Sequence, residues 1–178
     1  MFREMRRKKQ LLSLDEVIAV LNNGTSGVLA VAGDDGFPYA VPLSYVYHDS
    51  KIFFHSALTG HKLDAIAKND KVSFCVIDQD NVKPQEYTTY FRSVIVFGRA
   101  RVLKEDGEKR KALEVLAGKY SPDDEPGRLR EIDKLFKQVC IIELTIEHMT
   151  GKEAIELVRE QYVSDGKIGG EGGYYEIY

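Results

Sequence analysis

The hydrophobic period of the chain changes several times, and each change marks an element. Leu14, Val17, Ile18 and Leu21 recur at helical spacing, and Ser13 and Glu16 stand three apart as a capping box, so a helix is predicted that ends at Asn23-Gly24. The period then drops to two. Residues 27–31 form a short apolar run, Asp34-Asp35-Gly36 is a turn, and Tyr39, Val41, Leu43, Tyr45 and Tyr47 alternate with Ala40, Pro42, Ser44 and Val46, which predicts a strand pair. His48-Asp49-Ser50 turns the chain into a third strand over 51–56, followed by Thr59-Gly60-His61-Lys62 and a short helix over 63–68. Two further strands are predicted over 71–78 and 93–104, separated by a polar loop with Pro84. Helical spacing returns at 108–120 and 127–136, with a break at Ser121-Pro122-Asp123, and 139–146 reads as the last strand. Short strands joined by tight turns, with helices inserted singly, predict a mainly β fold: an antiparallel barrel decorated by helices, not alternating βαβ units.

Composition narrows this picture. The chain has 178 residues, 43% of them hydrophobic, and no internal repeat, so a single domain over 1–178 is expected, with a basic arm at 1–12 and a Gly/Tyr-rich tail at 165–178. Against 28 Asp and Glu stand 25 Lys and Arg, a net charge of −3 and too even a balance for a protein that lives on nucleic-acid or membrane electrostatics. No apolar run approaches the ~20 residues of a membrane-spanning helix, and no continuous apolar segment follows the basic arm as a secretory signal requires. Cys75 and Cys140 lie among apolar neighbours and read as buried free thiols. A cytoplasmic location is expected.

The richest chemistry lies between Phe53 and Lys62. A helix starting near Gly60 offers free N–H groups and the positive end of its dipole, to which Ser56 or Thr59 hydroxyls and the His61 and Lys62 side chains can add. Two readings stay open from spacing alone: an anion cradle, or Ser56 and Thr59 capping the helix while His61 and Lys62 face water. Gly98, inside a predicted strand, marks either a bulge or a close approach by another group. Arg99 and Arg101 suit surface carboxylates or a phosphate. His48, His55, His61 and His148 show no metal-binding spacing, no metal is expected, and no Ser or Cys sits in a nucleophile elbow.

The ordered series Gly27-Val28-Leu29-Ala30, then 36–46 from Gly36-Phe37-Pro38 to Ser44-Tyr45-Val46, then Phe54-His55-Ser56-Ala57 to Gly60-His61-Lys62, then Lys71-Val72-Ser73-Phe74, then Ser93 to Ala100 resembles the pyridoxamine 5'-phosphate oxidase-like flavin split-barrel superfamily, and within it the nitroimidazole-resistance (Nim) group. The resemblance runs over about residues 5–150. It implies a six-stranded antiparallel split β-barrel, a homodimer, and one FMN per subunit in a groove at the dimer interface. Pro42, Leu43 and Ser44 would meet the flavin ring, and His55, Ser56 and Ala57 would line the strand end near the ribityl chain. His61 and Lys62 would take the places of the basic pair on the FMN phosphate, and Ser93 and Val94 would approach from the other side of the groove. The arginine-rich substrate-phosphate pattern of true pyridoxamine phosphate oxidases is not recognisable here, so vitamin B6 oxidation is not expected. The implied activity is an FMN-dependent reductase carrying electrons from a nicotinamide to a small planar acceptor such as a nitroimidazole or nitroaromatic, with His61 as the candidate catalytic residue and His55 beside it as an alternative proton donor. The competing reading is a non-catalytic flavin- or haem-binding protein of the same fold.

Overall fold

The computed structural model describes residues 2–164. Seven strands form one antiparallel sheet: β1 (Ser26–Ala32), β2 (Pro38–Ser44), β3 (Val46–His48), β4 (Lys51–Ala57), β5 (Lys71–Lys83), β6 (Thr88–Val102) and β7 (Val139–Glu153), in the order β2-β1-β5-β6-β7-β4-β3. The two edge strands, β2 and β3, are consecutive in the chain with only Tyr45 between them. A sheet whose opposite edges are joined by one residue must curl until those edges meet. This corrects the six-strand expectation: the alternating segment around Tyr45 divides its pairing between β1 on one side of that residue and β4 on the other. Among the described residues no ladder joins β2 to β4, so the sheet curls without closing.

Alternation places one set of side chains inside the curl. Leu29, Phe54, Phe74, Val76, Val94, Val96 and Leu144 are buried there, and Phe74 meets the rings of Tyr45 and Phe54 edge-on at 4.9 and 5.0 Å. Helix α1 (Leu14–Asn23) covers this core with Val17, Val20 and Leu21, and its capping box forms as predicted: Ser13 N–H donates to Glu16 at 2.7 Å while Glu16 N–H donates to Ser13 Oγ at 3.3 Å. The short helix α2 (His61–Lys68) follows β4. Helices α3 (Asp106–Tyr120) and α4 (Glu125–Leu135) build a second apolar layer, in which Leu113, Leu116 and Ile132 pack with Val46, Phe53 and Ile141. Strand β4 therefore buries Ile52 and Phe54 on one face and Phe53 on the other.

Three boundaries differ from the pattern. The segment around Pro84 is no long loop, since β5 and β6 remain paired as far as Lys83↔Thr88; the polar residues there are polar on both faces and carry no period. Strand β7 continues past Ile146 because Phe97 pairs with His148 and Gly98 with Ile146, leaving Glu147 as an extra residue that restores the register. Helix α5 (Ile155–Ser164) has no counterpart in the predicted elements, and the Gly/Tyr tail lies outside the described residues. Arg99 and Arg101 both pair with carboxylates: Arg99 with Asp70 and Glu147, Arg101 with Glu108 and Glu143. Cys75 and Cys140 are free, and burial pushes both thiols up.

Glu143, 5% exposed, ties the strands to α3. It accepts from Arg101 at 2.8 Å and Lys51 at 3.0 Å, and Arg101 reaches on to Glu108 at 3.3 Å. Burial pushes the Glu143 carboxyl up, but the hydrogen bonds and charges of Arg101 and Lys51 outweigh it and leave the group below its ordinary value. A depressed carboxyl stabilises the fold fully above its unfolded value, and that stability is lost as pH falls through the folded value. Urea melts should therefore show stability falling below about pH 4.3. In Glu143→Gln that acid-sensitive part should be missing, and stability at neutral pH should be about 1–2 kcal/mol lower.

Candidate functional site

Val46 pairs with Phe53, and continuing that register would set Ser44 opposite His55 and Pro42 opposite Ala57. Instead β2 leaves β4 at Tyr45 and pairs with β1, as Ser26↔Ser44 and Val28↔Pro42. The divergence opens a groove whose apex is Tyr45 and whose walls carry Pro42 and Ser44 on one side, His55 and Ala57 on the other, all four exposed.

At the apex the Tyr45 backbone belongs to neither ladder and needs other partners. Helix α3 supplies them: the Tyr120 hydroxyl accepts from Tyr45 N–H at 2.9 Å, lies 2.9 Å from Tyr45 O, and also meets Thr25 O. The buried Tyr45 phenol donates to Leu21 O at 2.9 Å, and burial pushes it up from its ordinary value. Lys119 sits 4.3 Å over the same ring and donates to Gly24 O at 2.5 Å. Tyr120→Phe should cost about 1–3 kcal/mol in urea melts, because it strands the Tyr45 N–H and carbonyl.

Ser44 and His55 also line a hollow of about 370 Å³ roofed by α3 and α4. Its other walls are mostly aliphatic, from Leu113, Leu116, Ala117, Ile132, Leu135 and Val139, with Tyr120, Arg128 and Glu131 completing the lining. Among the described residues neither the Ser44 nor the His55 side chain makes a hydrogen bond.

The other end of the groove is built by α2. Its N-cap is Gly60, at φ +137°, with open space where a Cβ would project. Only glycine takes that conformation readily. No side chain caps the helix, so Ser56 and Thr59 do not have the capping role, and the first N–H groups remain available. Lys62 makes no ion pair among the described residues. The His61 ring stacks on Tyr39 at 4.2 Å, with Nε2 3.5 Å from Asp34. Asp34 in turn accepts from Lys68 at 2.9 Å, and that hydrogen bond, with the charges of Lys68 and His61, holds its carboxyl below the usual range. Lys68 thus offsets the Asp34 carboxylate, while Asp64 stands in the first turn of α2.

The remaining expected residues are placed differently. Leu43 turns inward against the core. Ser56 is 4% exposed and its hydroxyl has no partner, while the Cys140 thiol across the ladder donates to Ala57 O at 3.2 Å. Ser93 and Val94 lie on β6, separated from β2 by β1 and β5 and from β4 by β7, and the Val94 side chain is 0% exposed. One chain does not bring them to its own groove. Pattern reading missed Tyr39, Tyr120 and the α3–α4 lining. Tyr39 carried a usable signal, an aromatic on the strand beside the His61 turn; Tyr120 carried none, since its partner Tyr45 lies 75 residues earlier.

The geometry therefore sets an uncapped helix end with His61 and Lys62 at one end of the groove, and about 16 Å along β2 from Tyr39 to Ser44, at ~3.3 Å per residue, a mostly apolar hollow faced by two unengaged polar side chains. Among the described residues no group of His, Cys, Asp or Glu gathers as metal ligands do, and no helix is long and apolar enough to cross a membrane. No curated protein matches the sequence. Solved structures do resemble the fold. A candidate 5-nitroimidazole antibiotic resistance protein from Bacteroides thetaiotaomicron superposes with a TM-score of 0.66 at 19% identity, covering 80% of this chain and 86% of that one. An FAD and haem binding protein from Mycobacterium smegmatis gives 0.69 at 22%, covering 83% and 74%. An FAD-binding protein from Mesorhizobium loti gives 0.57 at 27%, covering 82% and 97%. The sequence profile described as pyridoxamine 5'-phosphate oxidase matches residues 13–153, which span the curled sheet, the groove and α1 to α4, and the chain belongs to that family.

Proposed function

We propose that this chain is a cytoplasmic homodimeric flavoprotein that holds FMN in the β2–β4 groove and reduces a small planar acceptor, such as a nitroimidazole or other nitroaromatic, with electrons from a nicotinamide. The observation that carries this reading is the pairing of an open, uncapped helix end bearing Lys62 with an apolar hollow faced by His55 and Ser44 at the far end of one groove. Flavin binding by two of the structural neighbours supports it.

When bound, FMN supplies the two-electron chemistry. The chain's own groups do the rest. The α2 N–H groups and Lys62 hold the phosphate, and His61, fixed by Tyr39 and Asp34, belongs to that end of the groove. Pro42 and Ser44 would flank the ring, Ala57 would stand beside the ribityl chain, and Ser93 with the Val94 backbone would reach it from the second copy. His61 lies far from the hollow, so proton delivery falls to His55, the imidazole that lines it. A nicotinamide gives up two electrons and one proton as hydride; the acceptor takes two electrons and two protons, the second proton passing from solvent through His55.

The test is an absorbance spectrum before and after incubation with FMN and desalting. Bands near about 375 and about 450 nm that persist, bleach with a nicotinamide donor and return with a nitroarene are expected. His61→Ala should loosen FMN, whereas His55→Ala should slow acceptor turnover at unchanged FMN affinity. A band near about 400 nm without flavin bands would mark a haem protein and overturn the proposal.

A further inference from the structure

Away from the β2–β4 groove, residues 6–10 of the basic arm and Ile155 and Arg159 of α5 line a second hollow of about 580 Å³. We propose that it binds a nucleotide carrying two or more phosphate charges. The site does not depend on the flavoprotein reading above, because no residue of that groove takes part in it.

The hollow has fixed walls. Leu12 N–H donates to Gly151 O at 3.1 Å, Leu11 bridges to Lys152, and Gln10 N–H closes a turn onto Arg7 O at 3.0 Å, so the arm is held along β7. Ile155 and Arg159 stand one turn apart on α5 and face the arm together. The carboxylates of that helix act on the β6 side: Glu156 accepts from Thr88 at 3.4 Å, and the charges of Glu156 and Glu160 act on the Tyr90 phenol.

Charge sets the first requirement. Arg92, Arg99, Arg101 and Arg110 each pair with a carboxylate. The side chains of Arg6, Arg7 and Arg159 make no ion pair or hydrogen bond among the described residues, and no Asp or Glu lines their hollow. A guanidinium fork matches two phosphate oxygens at once, so three around one hollow suit more than one phosphate charge.

Gln10 sets the second. It is 4% exposed, and its Oε1 is buried without a hydrogen-bond partner among the described residues. An orphaned acceptor costs stability until a donor arrives, and a fully ionised phosphate brings none. The amino group of a base or a sugar hydroxyl does, and Ile155 offers a base an apolar contact. That chemistry has two sources: a free nucleoside diphosphate, or the phosphorylated adenosine end of a nicotinamide donor.

The experiment is calorimetric titration of the whole chain, FMN-free and FMN-saturated, with ADP, with adenosine 2',5'-bisphosphate and with trimetaphosphate, a fully ionised ring of similar charge and no donor. At least one nucleotide should bind both forms about tenfold or more tightly than trimetaphosphate does. Arg159→Ala, at an exposed position, should weaken that nucleotide about tenfold or more and leave FMN affinity unchanged. Gln10→Met keeps the side-chain volume and removes the acceptor, so the nucleotide should weaken to the level of trimetaphosphate while the melting temperature holds or rises. A lower melting temperature at unchanged affinity would make Gln10 structural and overturn the proposal; if Gln10→Met does not fold, Arg159→Ala decides. Trimetaphosphate binding as tightly as both nucleotides, no binding at all, an unaffected Arg159→Ala, or displacement of the nucleotide by FMN would each overturn it as well. Preference for the bisphosphate assigns the nicotinamide donor and preference for ADP a free nucleotide, and either supports the site. Nucleotide binding by a protein that takes up no FMN would leave the site standing while the flavoprotein reading falls.

Discussion

Lys62→Glu should raise the FMN dissociation constant by about 100-fold, or about 2.7 kcal/mol. Loss of one charge-assisted hydrogen bond to a phosphate accounts for about 1.5–3 kcal/mol, and the new carboxylate adds repulsion at the same point. The variant separates binding from folding. A glutamate in the first turn of α2 interacts favourably with the helix dipole, so the melting temperature should be kept or slightly raised while affinity collapses. Lys62→Ala should fall between, near tenfold, and the wild-type affinity should weaken with added salt as an ion-dominated contact does. Fluorescence titration reads all three proteins. A change of less than about threefold in Lys62→Glu, against the strength expected of a phosphate contact, would remove the phosphate from α2.

The largest stability effect is expected at Gly98. A Cβ there would lie 2.0 Å from Thr145 O and 2.9 Å from Leu144 Cδ1. The obstructing oxygen is backbone, and β7 cannot yield, because Thr145 pairs with Arg99 on one side and Lys51 on the other. Relief on the β6 side would pull the β4–β7 ladder apart. Gly98→Ala should therefore cost about 3 kcal/mol or more, a fall in melting temperature of roughly 6–12 °C for a chain of this size. Gly118→Ala is the matched control. Nothing lies within 4 Å of its added Cβ, and it sits inside α3, so alanine should stabilise the protein by about 0.5–1 kcal/mol. A Gly98→Ala melt within about 0.5 kcal/mol of wild type, the range of an inconsequential substitution, would show that the bulge region accommodates the methyl group.

These predictions differ in how far the sequence anticipates them. Gly98 reads from sequence as a bulge or a close approach, and the structure shows both, because the extra residue Glu147 on β7 is what brings Thr145 O against Gly98. The Ser13–Glu16 capping box and the alternation around Tyr45 are local, and both elements form where the pattern puts them. The far ends of β5 and β7 were not legible: Val82 and Met149 stand singly among polar residues and set no period, and only the partner strand makes these segments extended. His61 and Lys62 were legible as basic side chains beside a helix start, yet which histidine faces the hollow was not. That depends on β2 leaving β4 at Tyr45, an event with no sign in the residues themselves.

The sequence by itself determined the elements with a strong period, the mainly β class, the family, and the turn at Gly60 that starts α2. Each of these follows from contacts within a few residues, where spacing and backbone preference act directly. The tertiary structure alone decided that one alternating segment serves both edges of the sheet, that Tyr120 from a helix 75 residues away satisfies the backbone at the split, and that α3 and α4 roof a hollow over Ser44 and His55. It also decided that Ser93 and Val94 lie on β6, with β1 and β5 between them and β2 and with β7 between them and β4. Those outcomes depend on which distant strand wins each hydrogen-bonding edge, a competition settled by the packing of the whole curl.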